Sequence, residues 1–131
     1  MKPGQPQDAA RPDAIERLRA KYPSLPEQYF RLLTRFGGVE TNLRHSYVQL
    51  WGAEDALVAT DQHKIPEYRP GYFAFGSNGG GELLVCALEG GETRPLYALP
   101  AIGMADAELL SIASSFSDLG AQLESAGANG V

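Results

Sequence analysis

The sequence predicts an α+β domain in which a small antiparallel sheet of about four strands is flanked by N-terminal helices and a C-terminal helix. Three observations predict this class: apolar residues recur at helical spacing near both ends of the chain, short strand patterns follow one another in between, and glycine-containing turns separate those strands. Helices, then strands, then a helix is an α+β order, and the short turns favour an antiparallel meander.

Two helices are predicted in the first third of the chain. The first begins at Pro12 and ends before Pro23. The second begins near Ser24 and Glu27, which have capping-box spacing, and ends at the glycine pair that starts with Gly37. Its apolar stripe consists of Leu25, Tyr29, Leu32, Leu33 and Phe36.

Four segments have strand patterns, at residues 46–51, 72–75, 82–89 and 94–99. The third has apolar residues on both alternating faces, so we expect a central strand covered on both sides, or by helices on one side and loops on the other. Residues 54–60 have a weak helical pattern, and residues 61–70 are typical of a loop. Asp106 is predicted to cap the last helix, whose apolar stripe runs from Leu109 to Leu123.

Length and composition are those of one globular domain, with 131 residues of which 44% are apolar. We place this domain at residues 12–124, between flexible tails at residues 1–11 and 125–131. The single cysteine, Cys86, excludes an internal disulfide framework. No apolar run has the length of a signal-peptide core or a membrane span, so we expect a cytoplasmic protein without a membrane partner.

The glycine cluster at residues 76–81 resembles a phosphate-binding loop only superficially. A Walker loop needs a Lys-Ser/Thr pair and a helix N-terminus, whereas here Glu82 and a further strand follow. The sequence therefore predicts a hairpin turn with positive φ at Asn78, Gly79 or Gly80.

The residue types that carry catalysis or metals are isolated in this sequence. His45 and His63 have no second ligand at metal spacing, and Cys86 lies in an apolar strand, where we expect it to be a small buried side chain. The paired carboxylates are typical of solvated turns and helix faces: Glu54 with Asp55, and Glu89 with Glu92. These residues therefore form no catalytic constellation, and we predict no metal site and no cofactor.

Charge is distributed unevenly along the chain. Residues 1–35 carry seven basic side chains against four acidic ones, a net +3, whereas residues 36–131 carry four against twelve, a net −8. An acidic body repels phosphate backbones, so we expect no direct nucleic-acid binding, and it attracts a basic protein partner. Acidic surface also keeps a small domain soluble, and charge alone favours this simpler explanation.

Aromatic residues near the first and second strands could serve the core or an interface. Trp51 is either a core plug or an interface anchor, with burial favoured by the general tendency of tryptophan. The same alternatives hold for Tyr68, Tyr72 and Phe73.

Four motifs in order carry a resemblance to a known family. They are Leu25-Pro26-Glu27-Gln28-Tyr29 continuing to Phe36-Gly37-Gly38, Leu50-Trp51 continuing to Glu54-Asp55-Ala56-Leu57, Phe73 to Glu82, and Ile112-Ala113 with Ser115-Phe116 and Leu119. Together, between Ile15 and Leu123, they resemble the SUKH superfamily, which includes fungal SMI/KNR-type cell-wall synthesis regulators and many bacterial immunity proteins.

The resemblance implies an α+β fold, no enzymatic activity and a protein-binding role. In bacteria that role is typically the neutralisation of a polymorphic secreted toxin, often a nuclease, so a basic toxin domain is the implied partner. An acidic surface fits this role because a nuclease must be basic to hold nucleic acid.

We expect partner contacts at six residues that share one rim if the strand ends meet: Trp51, Glu54, Asp55, Asp61, Asn78 and Glu82. A regulatory scaffold that organises host proteins is the alternative function. A small-molecule or hydrolytic role at the glycine turn is the third, and it requires a deep polar pocket beside Asn78 and Glu82.

Overall fold

A computed structural model describes residues 12–43 and 46–127. The helices in these ranges are α1 (Pro12–Lys21), α2 (Glu27–Phe36), α3 (Ala53–Gln62), α4 (Ile65–Tyr68) and α5 (Phe116–Ser125). The strands are β1 (Glu40–Leu43), β2 (Ser46–Leu50), β3 (Tyr72–Ser77), β4 (Glu82–Ala87), β5 (Leu96–Pro100) and β6 (Leu110–Ala113). The expected tail at residues 1–11, the end of the second tail and His45 lie outside the described residues.

The sheet is the predicted antiparallel meander, with spatial order β1 to β6. The α+β class is confirmed, but the described sheet has six strands where about four were expected. The two additional strands are the edge strands β1 and β6, each only four residues long. β1 reads Glu-Thr-Asn-Leu and is largely polar, so its sequence has no strong strand pattern.

The C-terminal helix is present, but it begins ten residues later than Asp106. The hydroxyl of Ser115 accepts a hydrogen bond from the backbone N–H of Asp118 at 3.0 Å, which makes Ser115 the N-cap of α5. Ile112 and Ala113, which the predicted helix would have included, belong to β6, and their spacing fits an extended strand as well as a helix. Periodicity alone could not separate the two conformations.

β4 is a central strand with apolar side chains on both faces, as predicted. Leu84 and Cys86 pack into the larger core cluster with α1, α2, α3 and α5. Leu83 and Val85 pack on the other face into a smaller cluster with Met104, which belongs to the loop after β5. One face is therefore covered mainly by long helices, and the other by α4 and loop residues.

The N-terminus of α2 is capped differently from the prediction. The N-cap residue is Pro26, and the hydroxyl of Ser24 donates instead to the carbonyl oxygen of Leu88 at 2.6 Å. The carboxylate of Glu92 accepts the first two N–H groups of the helix, those of Glu27 at 2.6 Å and of the next residue at 3.1 Å. The capping-box interpretation was wrong. The carboxylate of Glu92, which is distant in sequence, accepts the helix N–H group that the hydroxyl of Ser24 was expected to accept.

α3 extends beyond the weak pattern at residues 54–60, and α4 interrupts the segment 61–70 that was expected to be a loop. α3 covers the part of β3 that β2 leaves unpaired. The N–H of Ala74 has no partner on β2 and donates instead to the buried hydroxyl of Thr60 at 2.9 Å. This hydrogen bond fixes α3, and hence Trp51 before it, against the sheet edge.

Candidate partner-binding surface

Trp51 lies at the end of β2, where its N–H donates to the carbonyl oxygen of Phe75 at 3.1 Å. Its side chain is half-buried and packs against the smaller core cluster. The outer side of the indole is stacked on the exposed ring of His63, with 6.1 Å between centroids and 4° between planes. Trp51 is thus neither a fully buried plug nor a free surface side chain.

Two of the acidic residues predicted as contacts, Glu54 and Asp61, form ion pairs with α1. Glu54 Oε2 lies 3.1 Å from Nη2 of Arg17, and Asp61 Oδ2 lies 2.9 Å from Nζ of Lys21. The hydrogen bond that Lys21 donates to the carboxylate of Asp61 raises the pKa of Lys21. Asp55, on the same helix, is exposed.

Asn78 and Glu82 hold the β3–β4 turn together. The amide nitrogen of Asn78 donates to Glu82 Oε1 at 2.6 Å, and its oxygen accepts from the N–H groups of Gly80 at 2.9 Å and Glu82 at 3.2 Å. The positive φ expected at Asn78, Gly79 or Gly80 occurs at Gly79, at 77°, and Gly81 has a second positive φ that was not expected, at 94°. A Cβ at Gly79 would also lie 2.9 Å from the ring of Tyr47, so this glycine is required for packing.

The six predicted contact residues lie in two groups along β2. One group lies at the end of β2 and on α3 and consists of Trp51, Glu54, Asp55 and Asp61. The other lies at the β3–β4 turn, beside Tyr47, and consists of Asn78 and Glu82. Trp51 follows Tyr47 by four residues, which is about 13 Å along an extended strand. Their shared role in partner binding stays a prediction.

The loop 101–109 is the surface feature that sequence reasoning missed. Ile102 is 92% exposed, and the exposed carboxylates of Asp106 and Glu108 follow it on the same loop. Nη1 of Arg69 donates to the carbonyl oxygens of Met104 at 2.8 Å and Ala107 at 2.7 Å, which ties the loop to the segment between α4 and β3. The sequence offered one signal for this feature: Ile102 lies between Pro100 and Gly103 and belongs to no helical or strand pattern of apolar residues.

The side chains that could supply chemistry do not converge in the described part of the chain. Cys86 is buried as predicted, and burial raises its pKa to about 12, so the thiol stays protonated at neutral pH. Burial also raises the pKa of Tyr29, whose hydroxyl has no hydrogen-bond partner among the described residues. Within residues 12–43 and 46–127, no three His, Cys, Asp or Glu side chains could hold a metal ion together.

Two open grooves of about 360 and 350 Å³ run along α5, against β1 and against α2. Neither is lined by Asn78 or Glu82, where a small-molecule role would need a deep polar pocket. The helices described are all too short or too polar to cross a membrane.

Comparison with known proteins gives one family. No curated protein matches the chain at a significant level of similarity. The family model described as SMI1 / KNR4 family (SUKH-1) matches residues 9–122, which includes α1, the whole sheet and most of α5. The chain therefore belongs to the SMI1/KNR4 family (SUKH-1).

Proposed function

We propose that this chain is a non-enzymatic, cytoplasmic immunity protein that binds and neutralises a secreted toxin domain, with a basic nuclease as the favoured kind of toxin. Membership in the SMI1/KNR4 family supports a protein-interaction or immunity-type domain. We place the functional domain at residues 12–124.

The observation that carries the proposal is the arrangement of charge in the fold. Four of the five basic side chains of α1 and α2 pair with carboxylates of the chain itself, in the pairs Arg17–Glu54, Arg19–Glu27, Lys21–Asp61 and Arg35–Glu124. Exposed carboxylates without a side-chain partner among the described residues remain at Asp55, Glu67, Glu89, Asp106 and Glu108. These carboxylates support our inference of an acidic outward field, which would steer a basic partner toward this protein.

We propose partner contacts at Trp51, Glu54, Asp55, Asp61, Asn78 and Glu82. Trp51 and Asp55 are the best test positions, because Glu54 and Asp61 also hold α1 and because Asn78 and Glu82 also hold a turn. A half-buried indole, with an exposed carboxylate four residues later in the chain, is a suitable anchor for a basic surface.

The experiment uses the full chain as bait in extracts of the source organism, at about 50 mM and about 500 mM NaCl, followed by mass spectrometry. We expect one toxin that is lost at high salt, and growth rescue when bait and toxin are coexpressed. The double variant Trp51→Ser/Asp55→Lys should weaken this binding at least about tenfold. The control Tyr68→Ser/Glu89→Lys makes the same kinds of change outside the six proposed contact residues and should bind normally.

A regulatory scaffold is the alternative within the same family. Recovery of host enzymes or cytoskeletal proteins, without any protection against a toxin, would replace the immunity role with that alternative. Equal weakening by both double variants would show that net charge, and not the Trp51 surface, determines binding.

A further inference from the structure

We propose that the loop 101–109 is a second docking element, in which Ile102 inserts into an apolar pocket of a basic protein while Asp106 and Glu108 contact cationic side chains around that pocket. This inference rests on the proposed protein-binding function and deepens it. It adds an anchor that is separate from the Trp51 segment.

The exposure of Ile102 is the first argument. Ile102 is 92% exposed, whereas the other large exposed apolar residues of the described chain, Val58, Tyr68 and Leu110, are between 43% and 50% exposed. Leu110 follows the loop directly at the start of β6. The loop thus presents one fully hydrated isoleucine and a half-exposed leucine, whose burial by a partner is favourable.

The loop is also held in place before any partner binds. Its first N–H, that of Ala101, donates to the carbonyl oxygen of Gly81 at 3.0 Å. Met104 is buried in the smaller core cluster, and Arg69 bonds the carbonyl oxygens of Met104 and Ala107. Because the backbone is already fixed on both sides of Ile102, docking would not require much further ordering of the loop.

Charge decides which kind of partner fits. Asp106 and Glu108 are exposed and have no side-chain hydrogen bond or ion pair with another described residue. They repel anionic membranes and phosphate backbones. A two-fold contact between two copies of this chain would place the same carboxylates against each other, which is unfavourable. A basic protein surface with an apolar pocket remains the favoured occupant.

The test uses the full chain and a defined probe, a short lysine-rich peptide with one central leucine, followed by NMR chemical shifts of the backbone amides. We expect shifts confined to the loop and Leu110, and affinity at least about tenfold weaker for a peptide with serine in place of leucine. Ile102→Ser should weaken binding of the leucine peptide by a similar factor, and the matched control Val58→Ser should not. Shifts elsewhere, or none at all, would overturn the proposal.

A charge-matched pair of variants tests the carboxylates. Asp106→Lys/Glu108→Lys should abolish peptide binding, whereas Glu16→Lys/Glu89→Lys, which changes the net charge equally, should leave it within about threefold. Equal losses in both variants would reduce the effect to net charge and overturn the proposal. Self-association of the parent chain that Ile102→Ser removes would assign the loop to a second copy instead. Binding of the parent chain to anionic vesicles through Ile102 would assign it to a membrane.

Failure of this inference can be distinguished from failure of the immunity proposal. If the toxin is recovered and Ile102→Ser binds it with unchanged affinity, the loop has no docking role but the proposed function stands. If the peptide results hold but the chain protects against no toxin, the loop is a docking element of a protein with another role.

Discussion

Arg94 is a buried cation whose guanidinium is bonded to backbone oxygens. It is 6% exposed and donates five hydrogen bonds of 2.8 to 3.0 Å. The acceptors are the carbonyl oxygens of Ser24, Ala87, Leu88, Gly90 and Gly91. A guanidinium has five N–H groups, so every donor is used, and the side chain joins the segment before α2 to the β4–β5 connection.

We expect Arg94→Lys to lower the free energy of unfolding by about 1–2 kcal/mol, because an ammonium has three donors and leaves part-buried carbonyl oxygens without their partners. Urea unfolding followed by circular dichroism measures this loss. The exposed Arg31 is the control, and Arg31→Lys should change stability by less than about 0.5 kcal/mol. Similar losses in the two variants would mean that the Arg94 hydrogen bonds contribute little.

The sequence allowed some single residues to be interpreted correctly and others not. Cys86 was recognisable as buried because its own neighbours along the strand are apolar. The role of Glu92 was not recognisable, because both N–H groups that it accepts lie more than sixty residues away in the chain. The same holds for the bond from Arg94 to Ser24, although its other four acceptors are close in sequence. Local patterns record which face a side chain is on, but not which distant backbone group it meets.

At the scale of elements, α5 shows how a cap decides between strand and helix. Ser115 Oγ accepts the N–H of Asp118, and Asp118 Oδ2 accepts the N–H of Ser114 at 2.9 Å. This reciprocal pair ends β6 and starts the helix within three residues. The N–H of Ser114, more than any other group, lowers the pKa of Asp118. The cap can be read in the sequence, but the apolar stripe continuing from Leu109 concealed it.

Asp118→Asn should lower the free energy of unfolding by about 0.5–1 kcal/mol at pH 7, because it removes a negative charge at the N-terminus of α5. Since the pKa of Asp118 is lower in the folded state, its contribution is complete above the unfolded-state value of about 3.9 and is lost as the pH falls through the folded-state value. Urea unfolding across this pH range should therefore show the difference from the parent vanishing in acid.

Ser115→Ala is the matched control for the titration of Asp118. The hydroxyl does not titrate in this range, so its loss should cost about 1 kcal/mol at both ends of the pH range. A cost of Asp118→Asn that stays constant down to the lowest pH would contradict the assigned role of the carboxylate.

At the scale of the whole molecule, folding sorts the carboxylates into two sets. One set, including Glu54 and Asp61, lies against the basic side chains of α1, whereas Asp106 and Glu108 lie on a loop without such partners. The charge asymmetry along the sequence predicted an acidic body, but it could not show which carboxylates are neutralised. That division depends on α1 packing against α3, a contact between segments about forty residues apart.

Neutralising the first set should change the stability of the fold, whereas neutralising the second should change the rate of association with a partner. Glu54→Gln/Asp61→Asn should lower the free energy of unfolding by about 0.5–1.5 kcal/mol at low salt, because two exposed ion pairs are lost. The loss should shrink at about 500 mM NaCl, where such pairs are screened. Asp106→Asn/Glu108→Gln should leave stability within about 0.5 kcal/mol, yet slow association with a basic partner, since these carboxylates contribute to the outward field and not to the fold. Urea unfolding at two salt concentrations, together with stopped-flow association rates, measures both effects. A stability loss confined to the Asp106/Glu108 variant would show that the loop carboxylates stabilise the fold. It would contradict the assignment of these two carboxylates to partner association.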